Sequence, residues 1–273
     1  MSFRASEAER REPDILLRIR ENDRRRRLGF RLQFALVWAA ILAALIGFIA
    51  GTIGFNAELI GTYLGFILGG VPITMTLAVL AIALAVFLAV LGALGRISRL
   101  PILYAIATFY VSLVRGTPLL LQILFVYLAL PQAGIVIDGY WTAVIALGFN
   151  YGAYLTEIFR AGIEAVPTGQ YEAARSLGMT ERLTMRRIVL PQAVRIITPA
   201  IGNEFISMMK DTALASTIAV QDLLWRAQTV GRPRFQSMQT LLIAALIYWI
   251  LTIVFSLFQD RLEKRMAAGD RRR

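Results

Sequence analysis

Six mainly apolar blocks limit what this chain can become: Phe34 to Phe55, Gly70 to Gly95, Leu100 to Leu130, Tyr140 to Gly162, Gln192 to Lys210 and Met238 to Phe258. A helix needs about twenty such residues to cross a hydrocarbon core. The blocks lack the strict alternation of a lipid-facing strand, and inside a bilayer only helices or closed barrels satisfy the backbone. The fold class that follows is an all-α integral membrane protein with about six transmembrane helices.

Charge and composition remove several alternatives. The net charge of +11 suits a nucleic-acid partner in principle, but the basic residues gather at both ends and in short loops. They show no aromatic interleaving and no recognition motif, so no nucleic acid is expected. Positive-inside orientation accounts for them better. The chain has no His and no Cys, which excludes an imidazole metal site, a thiol nucleophile, a disulfide and Ser-His-Asp hydrolysis. Its lysines are Lys210 and Lys264, neither set in a Gly-rich phosphate loop. The chain therefore supplies no P-loop ATPase, no catalytic residue, no metal site and no bound cofactor.

Between the fourth and fifth blocks lies a polar stretch from Val166 to Pro191, carrying Arg175, Arg182, Arg186 and Arg187. Thr168 after Pro167 reads as an N-cap, and Gly178 as the left-handed residue that closes the helix. Thr180 caps a second short helix, which Pro191 is expected to end. The first helix is only about 15 Å long, a better shape for a docking knob than for a core element. Ala173 and Ala174 keep a face of it small, and Glu172 lies near its positive end.

Glu172-Ala173-Ala174, three residues, Gly178, nine residues, then Ile188-Val189-Leu190-Pro191 resembles the EAA signature of ABC-importer permeases. Further blocks resemble the polar-amino-acid branch of that family. They are Val114-Arg-Gly-Thr-Pro-Leu-Leu-Leu-Gln122, Glu157-Ile-Phe-Arg-Ala-Gly162, and Gly202-Asn203 through Lys210-Asp211-Thr212-Ala-Leu-Ala-Ser216. The resemblance implies a five-helix type I importer core over residues 63–266, with a cytosolic coupling loop at 163–191. To these it adds an extra N-terminal span at 34–55 and a basic cytosolic arm at 1–33. It implies that Glu172, Ala173, Ala174, Gly178, Ile188, Leu190 and Pro191 couple to a separate ATPase subunit, which holds ATP and Mg²⁺. The other implied partners are a second permease subunit, identical or homologous, and an extracytoplasmic solute-binding protein. The implied location is a prokaryotic plasma membrane. The implied role is ATP-driven import of a polar amino acid. Another small amine, an opine or a peptide stays open as solute, and a secondary carrier as class, although no repeated halves are evident.

Taken in order, the arm carries Arg10-Arg11 and Arg24 to Arg27, with a short surface helix conceivable at Asp14 to Arg20. It is read as lying near anionic headgroups, whether it only fixes topology or also regulates. Asn56 to Gly69, with Glu58 and no Lys or Arg, reads as an outside loop. Pro118 should break the long third block near Arg115-Gly116-Thr117, its freed carbonyls satisfied inside the protein.

Arg115, Thr117, Pro118, Gln122, Asn150, Tyr154, Glu157, Glu204, Lys210 and Asp211 are candidates for a translocation path or gate. Polar residues at membrane depth are functional by default, though Arg115 can instead snorkel. Asn150, Tyr154 and Glu157 share a helix face and can equally serve interhelical bonding. Glu157 can pair with Arg160 one turn on. Lys210 and Asp211 diverge on a helix. Ser216 to Val230 reads as a short helix leading outward, and Arg226, Arg232 and Arg234 fall outside, solvated or facing an acidic binding protein. An even number of spans puts both termini and the coupling loop in the cytosol.

Overall fold

The computed structural model describes residues 26, 28–48, 51 and 56–270, and every regular element among them is helical. The possible surface helix at Asp14 to Arg20, the arm as far as residue 25 and most of the end of the first apolar block lie outside the described residues. The chain divides into two units, 1–57 and 58–273. The first contains α1, Leu28–Phe48, which starts earlier than the apolar block alone suggests. Its Phe30, Phe34 and Trp38 contact one another along one face, with ring centroids 6.4 and 5.9 Å apart.

The second unit holds the rest. α2 (Ala57–Leu68) occupies the stretch expected to be an outside loop. Lack of basic residues indicates a side of the membrane, not a loop. The segment Ala-Glu-Leu-Ile-Gly-Thr-Tyr-Leu-Gly-Phe-Ile-Leu carries enough apolar side chains to bury Leu59 and Ile67. A turn at Gly69-Gly70 leads into α3 (Val71–Arg96). There a Cβ on Gly70 would lie 2.6 Å from the Leu223 Cα, so only glycine lets these backbones meet.

α4 (Pro101–Arg115) and α5 (Leu119–Gln132) are the broken third block, bent by 107°. α6 (Gly139–Glu164) is N-capped by Asp138, whose carboxylate accepts the Tyr140 N–H at 2.8 Å. α7 (Thr168–Ser176) and α8 (Glu181–Thr184) form the connecting loop, and α9 is Leu190–Asp211. A 3₁₀ stretch, Thr212–Ile218, leads to α10 (Leu223–Gly231), so the expected single helix from Ser216 onward is in two parts. α11 (Ser237–Asp270) runs well past the last apolar block.

Among the described residues three helical runs are long and apolar enough to span a membrane, Leu28–Phe48, Ala57–Arg96 and Ser237–Met266, and the bent α4–α5 pair makes a fourth if taken as one span. α6 and α9, of 26 and 22 residues, are long enough but more polar. Both pack against helices of the same chain, where lipid does not dictate composition.

The core is the seam between α3 and α6. Ala81, Ala85, Ala89 and Ala93 fall four apart on α3 and are all buried, a ladder of small residues that lets helices approach closely. Leu77, Leu147, Tyr151, Leu155 and Met208 fill the space around it. A satellite cluster of Leu59, Ile67, Leu223, Ala227, Val230 and Ala244 joins α2, α10 and α11.

Arg226 and Arg234 brace this second cluster, and Arg232 bonds back to α10. Arg226 donates to the Phe66 carbonyl at 3.0 Å and lies over the Phe66 ring. Arg234 donates to the Tyr63 hydroxyl at 2.6 Å and covers that ring. Arg232 donates to Gln228 Oε1 at 2.8 Å. The Arg226 and Arg234 guanidiniums knit α10 and its following turn to α2.

Candidate functional site

The connecting loop is built by three local rules. α7 has Pro167 at its N-cap position, with no side-chain cap, and Thr168 is its first helical residue. Proline's fixed φ suits a helix entrance, so the expected Thr168 cap is displaced by its neighbour. At the other end Gly178 has φ +73°. The Gly178 N–H bonds the Arg175 carbonyl at 2.9 Å and the Met179 N–H bonds the Ala174 carbonyl at 3.0 Å. This is a Schellman closure, which needs the left-handed residue that glycine supplies. Thr180 then caps α8 as expected, its hydroxyl accepting the Leu183 N–H.

Pro191 does not end the second helix. α8 passes through a π turn at Met185–Val189 straight into α9, with Pro191 in the first turn of α9. The Leu190 N–H bonds the Met185 carbonyl five residues back. A wider turn relieves the contact between the proline ring and the preceding carbonyls, so the chain keeps its direction.

On this frame Glu172, Ala173 and Gly178 face outward, while Ala174 is 1% exposed and packs inward. The two alanines therefore do different things. Ile188 is half-buried, and Leu190 and Pro191 are exposed. Leu177, 80% exposed at the tip of α7, was not among the sequence candidates. A large apolar residue beside a helix-ending glycine was the signal. Beneath α7 a cleft of about 210 Å³ is lined by Arg99, Tyr171, Arg175 and Glu181 among others. Glu181 bonds Arg99 there at 3.1 Å.

The second set of candidates gathers at the α4–α5 break. Gln122 Nε2 donates to the Val114 carbonyl at 2.8 Å and to the Thr117 carbonyl at 3.2 Å, and meets Thr117 Oγ1 at 2.8 Å. Thr117 Oγ1 donates to the Leu113 carbonyl at 3.0 Å. Asn150 Nδ2 on α6 donates to Gln122 Oε1 at 3.0 Å. The carbonyls freed by Pro118 are thus satisfied by side chains, as membrane burial demands. Gln122 and Asn150 are occupied in holding the break. Arg115 is exposed, its guanidinium 5.2 Å from the Tyr154 ring centroid.

Glu157 is held by its own chain. Oε1 accepts from Arg96 Nε at 3.0 Å, and Oε2 accepts from Arg160 Nη2 at 2.8 Å. On α9, Asp211 Oδ2 accepts the Tyr151 hydroxyl at 2.7 Å. Glu204 lies seven residues earlier, half-buried and on the same helical face. Lys210 is exposed and points elsewhere than Asp211, as adjacent helical positions do. The sequence reading missed Arg96 and Tyr151, which bond Glu157 and Asp211, and Thr108 and Tyr104, which hold Arg96. No short motif flags them, because their partners are distant in the chain.

Residues 85–268 match the family model described as binding-protein-dependent transport system inner membrane component. This chain belongs to that family. Among its relatives is the L-cystine transport system permease protein TcyB of Bacillus subtilis, 41% identical over 72% of this chain and 85% of the relative. The arginine transport system permease protein ArtQ of the same organism is 39% identical over 75% of this chain and 94% of its own.

A solved structure described as an amino acid ABC transporter with histidines matches with TM-score 0.75 and 38% identity, covering 78% of this chain and all of that one. As a family member this chain is a multi-pass inner-membrane component of an importer, and its relatives are permeases. The hydrolysis of ATP belongs to another subunit.

Proposed function

We propose that this chain is the permease subunit of an ATP-driven, binding-protein-dependent importer for polar amino acids. The observation that carries the reading is α7. It is a nine-residue helix that presents Glu172, Ala173 and Leu177 outward and is closed by a glycine at φ +73°. It seats in a cleft of the ATPase subunit, which holds ATP and Mg²⁺. Ile188, Leu190 and Pro191 fix the direction in which α9 leaves the loop, and Ala174 fixes α7 to the chain.

Two permease subunits, identical or homologous, enclose the path, and a solute-binding protein delivers the amino acid from outside. Both termini and the α7 loop lie in the cytosol. ATP closes the ATPase pair, draws the two α7 helices together and rocks the spans from inward-open to outward-open. The relatives' names, cystine and arginine permeases, support an amino acid as solute. Glu204 and Asp211 on α9 and Arg115 beside Tyr154 are the groups best placed for its charged ends. Thr117, Pro118, Gln122 and Asn150 form a hinge beside that path, and Lys210 lies at its edge.

The test is purification of the tagged chain in mild detergent with mass spectrometry of what accompanies it. The expected companion is a subunit with a Walker A loop, lost in Gly178→Val. Uptake in vesicles should need ATP. A chain that comes out alone and carries solute on an ion gradient would overturn the reading.

A further inference from the structure

Arg96 and Glu157 together join three helices. Arg96, the last residue of α3, donates from Nε to Glu157 and from Nη1 to Thr108 Oγ1 on α4 at 2.6 Å. The same guanidinium lies 5.1 Å from the centroid of the Tyr104 ring, also on α4. Arg160 closes the other side, bonding Glu157 and, at 2.6 Å, Glu164. Both oxygens of Glu157 are taken by arginines of its own chain. The Arg96 and Glu157 side chains are 16% and 18% exposed, which leaves little surface for a solute.

The position of this cluster matters more than its strength. Glu164 ends α6, and α7 begins at Thr168, with the buried Val166 between them. Any displacement of α7 is therefore delivered to the last turns of α6, where Glu157, Arg160 and Glu164 sit. At its α7-side end α4 is tied to the rest by this cluster, while an apolar edge of Ala107, Val111 and Val114, Tyr110 against Phe149, Arg115 over Tyr154 and the Gln122 bond to the Val114 carbonyl hold the remainder. Its 15 residues make a rod of about 22 Å whose other end is the break at Arg115 to Pro118. The Arg99–Glu181 pair runs parallel but is 86% and 70% exposed, and exposed pairs of that kind hold little.

Resting on the importer reading above, we infer that Arg96 and Glu157 are positioning residues of the transport cycle. They lock the α7-side ends of α3, α4 and α6 into one body, so that movement of α7 swings α4 about its break. Glu157 thereby leaves the list of solute contacts and becomes part of the transmission.

A shared carboxylate of this kind is testable by a double-mutant cycle, the measurement that separates coupling from mere adjacency. The complete importer, with its ATPase and binding protein, is reconstituted in proteoliposomes. Radiolabelled arginine, glutamine and cystine are the probes, and the readout is solute imported per ATP hydrolysed. Arg96→Gln and Glu157→Gln should each lower that ratio about tenfold, with ATP hydrolysis within about twofold of the parent. The double variant should fall no further than either single one. It leaves no orphaned charge at the pair, since Arg160 keeps Glu164, and it should co-purify with the ATPase as the parent does. Thr108→Val, which keeps the ion pair and removes one of the two ties from Arg96 to α4, should lower the ratio in the same direction by less.

A double variant with the parent's ratio overturns the inference. So does a product of two independent losses, or a Thr108→Val chain with unchanged ratio. Uptake and hydrolysis falling together at constant ratio overturns it as well. If the parent complex itself imports none of the probes, the importer reading is what fails.

Discussion

Gly178 and Leu177 show how much of this protein's activity rests on single residues at the tip of one loop. A Cβ on Gly178 would touch nothing within 4 Å, so the site resists larger residues through its φ of +73° and not through crowding. A β-branched residue there costs about 1–2 kcal/mol, enough to reopen the Schellman turn and re-aim α7. Gly178→Val is expected to insert and accumulate normally while ATP-dependent uptake is lost. Gly178→Ala should retain part of it, and equal uptake by both variants and the parent would contradict the role. Leu177 is the complementary case. It lies on the surface, so Leu177→Asp should change the thermal midpoint of the purified chain by no more than about 0.5 kcal/mol in equivalent stability. The same change should release the ATPase subunit in a pull-down. A drop in midpoint with the ATPase retained would make Leu177 a structural residue and not a docking one.

At the level of elements, the bend between α4 and α5 is where sequence and structure agree best. Pro118 cannot donate a backbone bond, so a break near Arg115 to Pro118 was legible, as was the need to satisfy its carbonyls. Which side chains do so was not, because the Gln122–Asn150 bond joins residues 28 apart. If Gln122 holds the break, Gln122→Leu strands the Asn150 amide, at about 1–3 kcal/mol, and leaves the Val114 carbonyl only its longer contacts to Thr117. The midpoint should fall, and Asn150→Leu on the same background should cost much less than it does alone. Additive losses would show that the two side chains do not act together. The same limit on reading a sequence appears elsewhere. α2 was read as a loop because charge bias reports sidedness and not conformation. Pro191 was read as a stop because a π turn that absorbs a proline leaves no signature of its own. The apolar blocks, the EAA spacing and the closing glycine were legible because each depends on residues close together in the chain. The Arg96–Glu157 bond, 61 residues apart, depends on the fold.

For the molecule as a whole, the sidedness of the loops decides whether the functional reading holds together. The α7 loop must face ATP, the turn between α5 and α6 must face the binding protein, and the end of α11 must return to the side of α7. The sequence has no cysteine, so single cysteines can report each position without first removing native ones. Gln170 on α7, Val136 in the α5–α6 turn, 85% exposed, and Arg265 on α11 are all accessible. In sealed right-side-out vesicles a membrane-impermeant maleimide should label Val136→Cys at once. Gln170→Cys and Arg265→Cys should react only after the membrane is opened. Inverted vesicles should give the reverse order. Labelling of Gln170→Cys and Val136→Cys from the same face would leave α7 unable to meet an ATPase while solute enters from the other side. If Arg265→Cys alone sits on the wrong face, the number of crossings after the α7 loop is odd where it should be even, and the region from α10 to α11 would need a different path. The arrangement proposed here permits one pattern of three reactivities, and a single position on the wrong face points to the helices on either side of it as the ones misassigned.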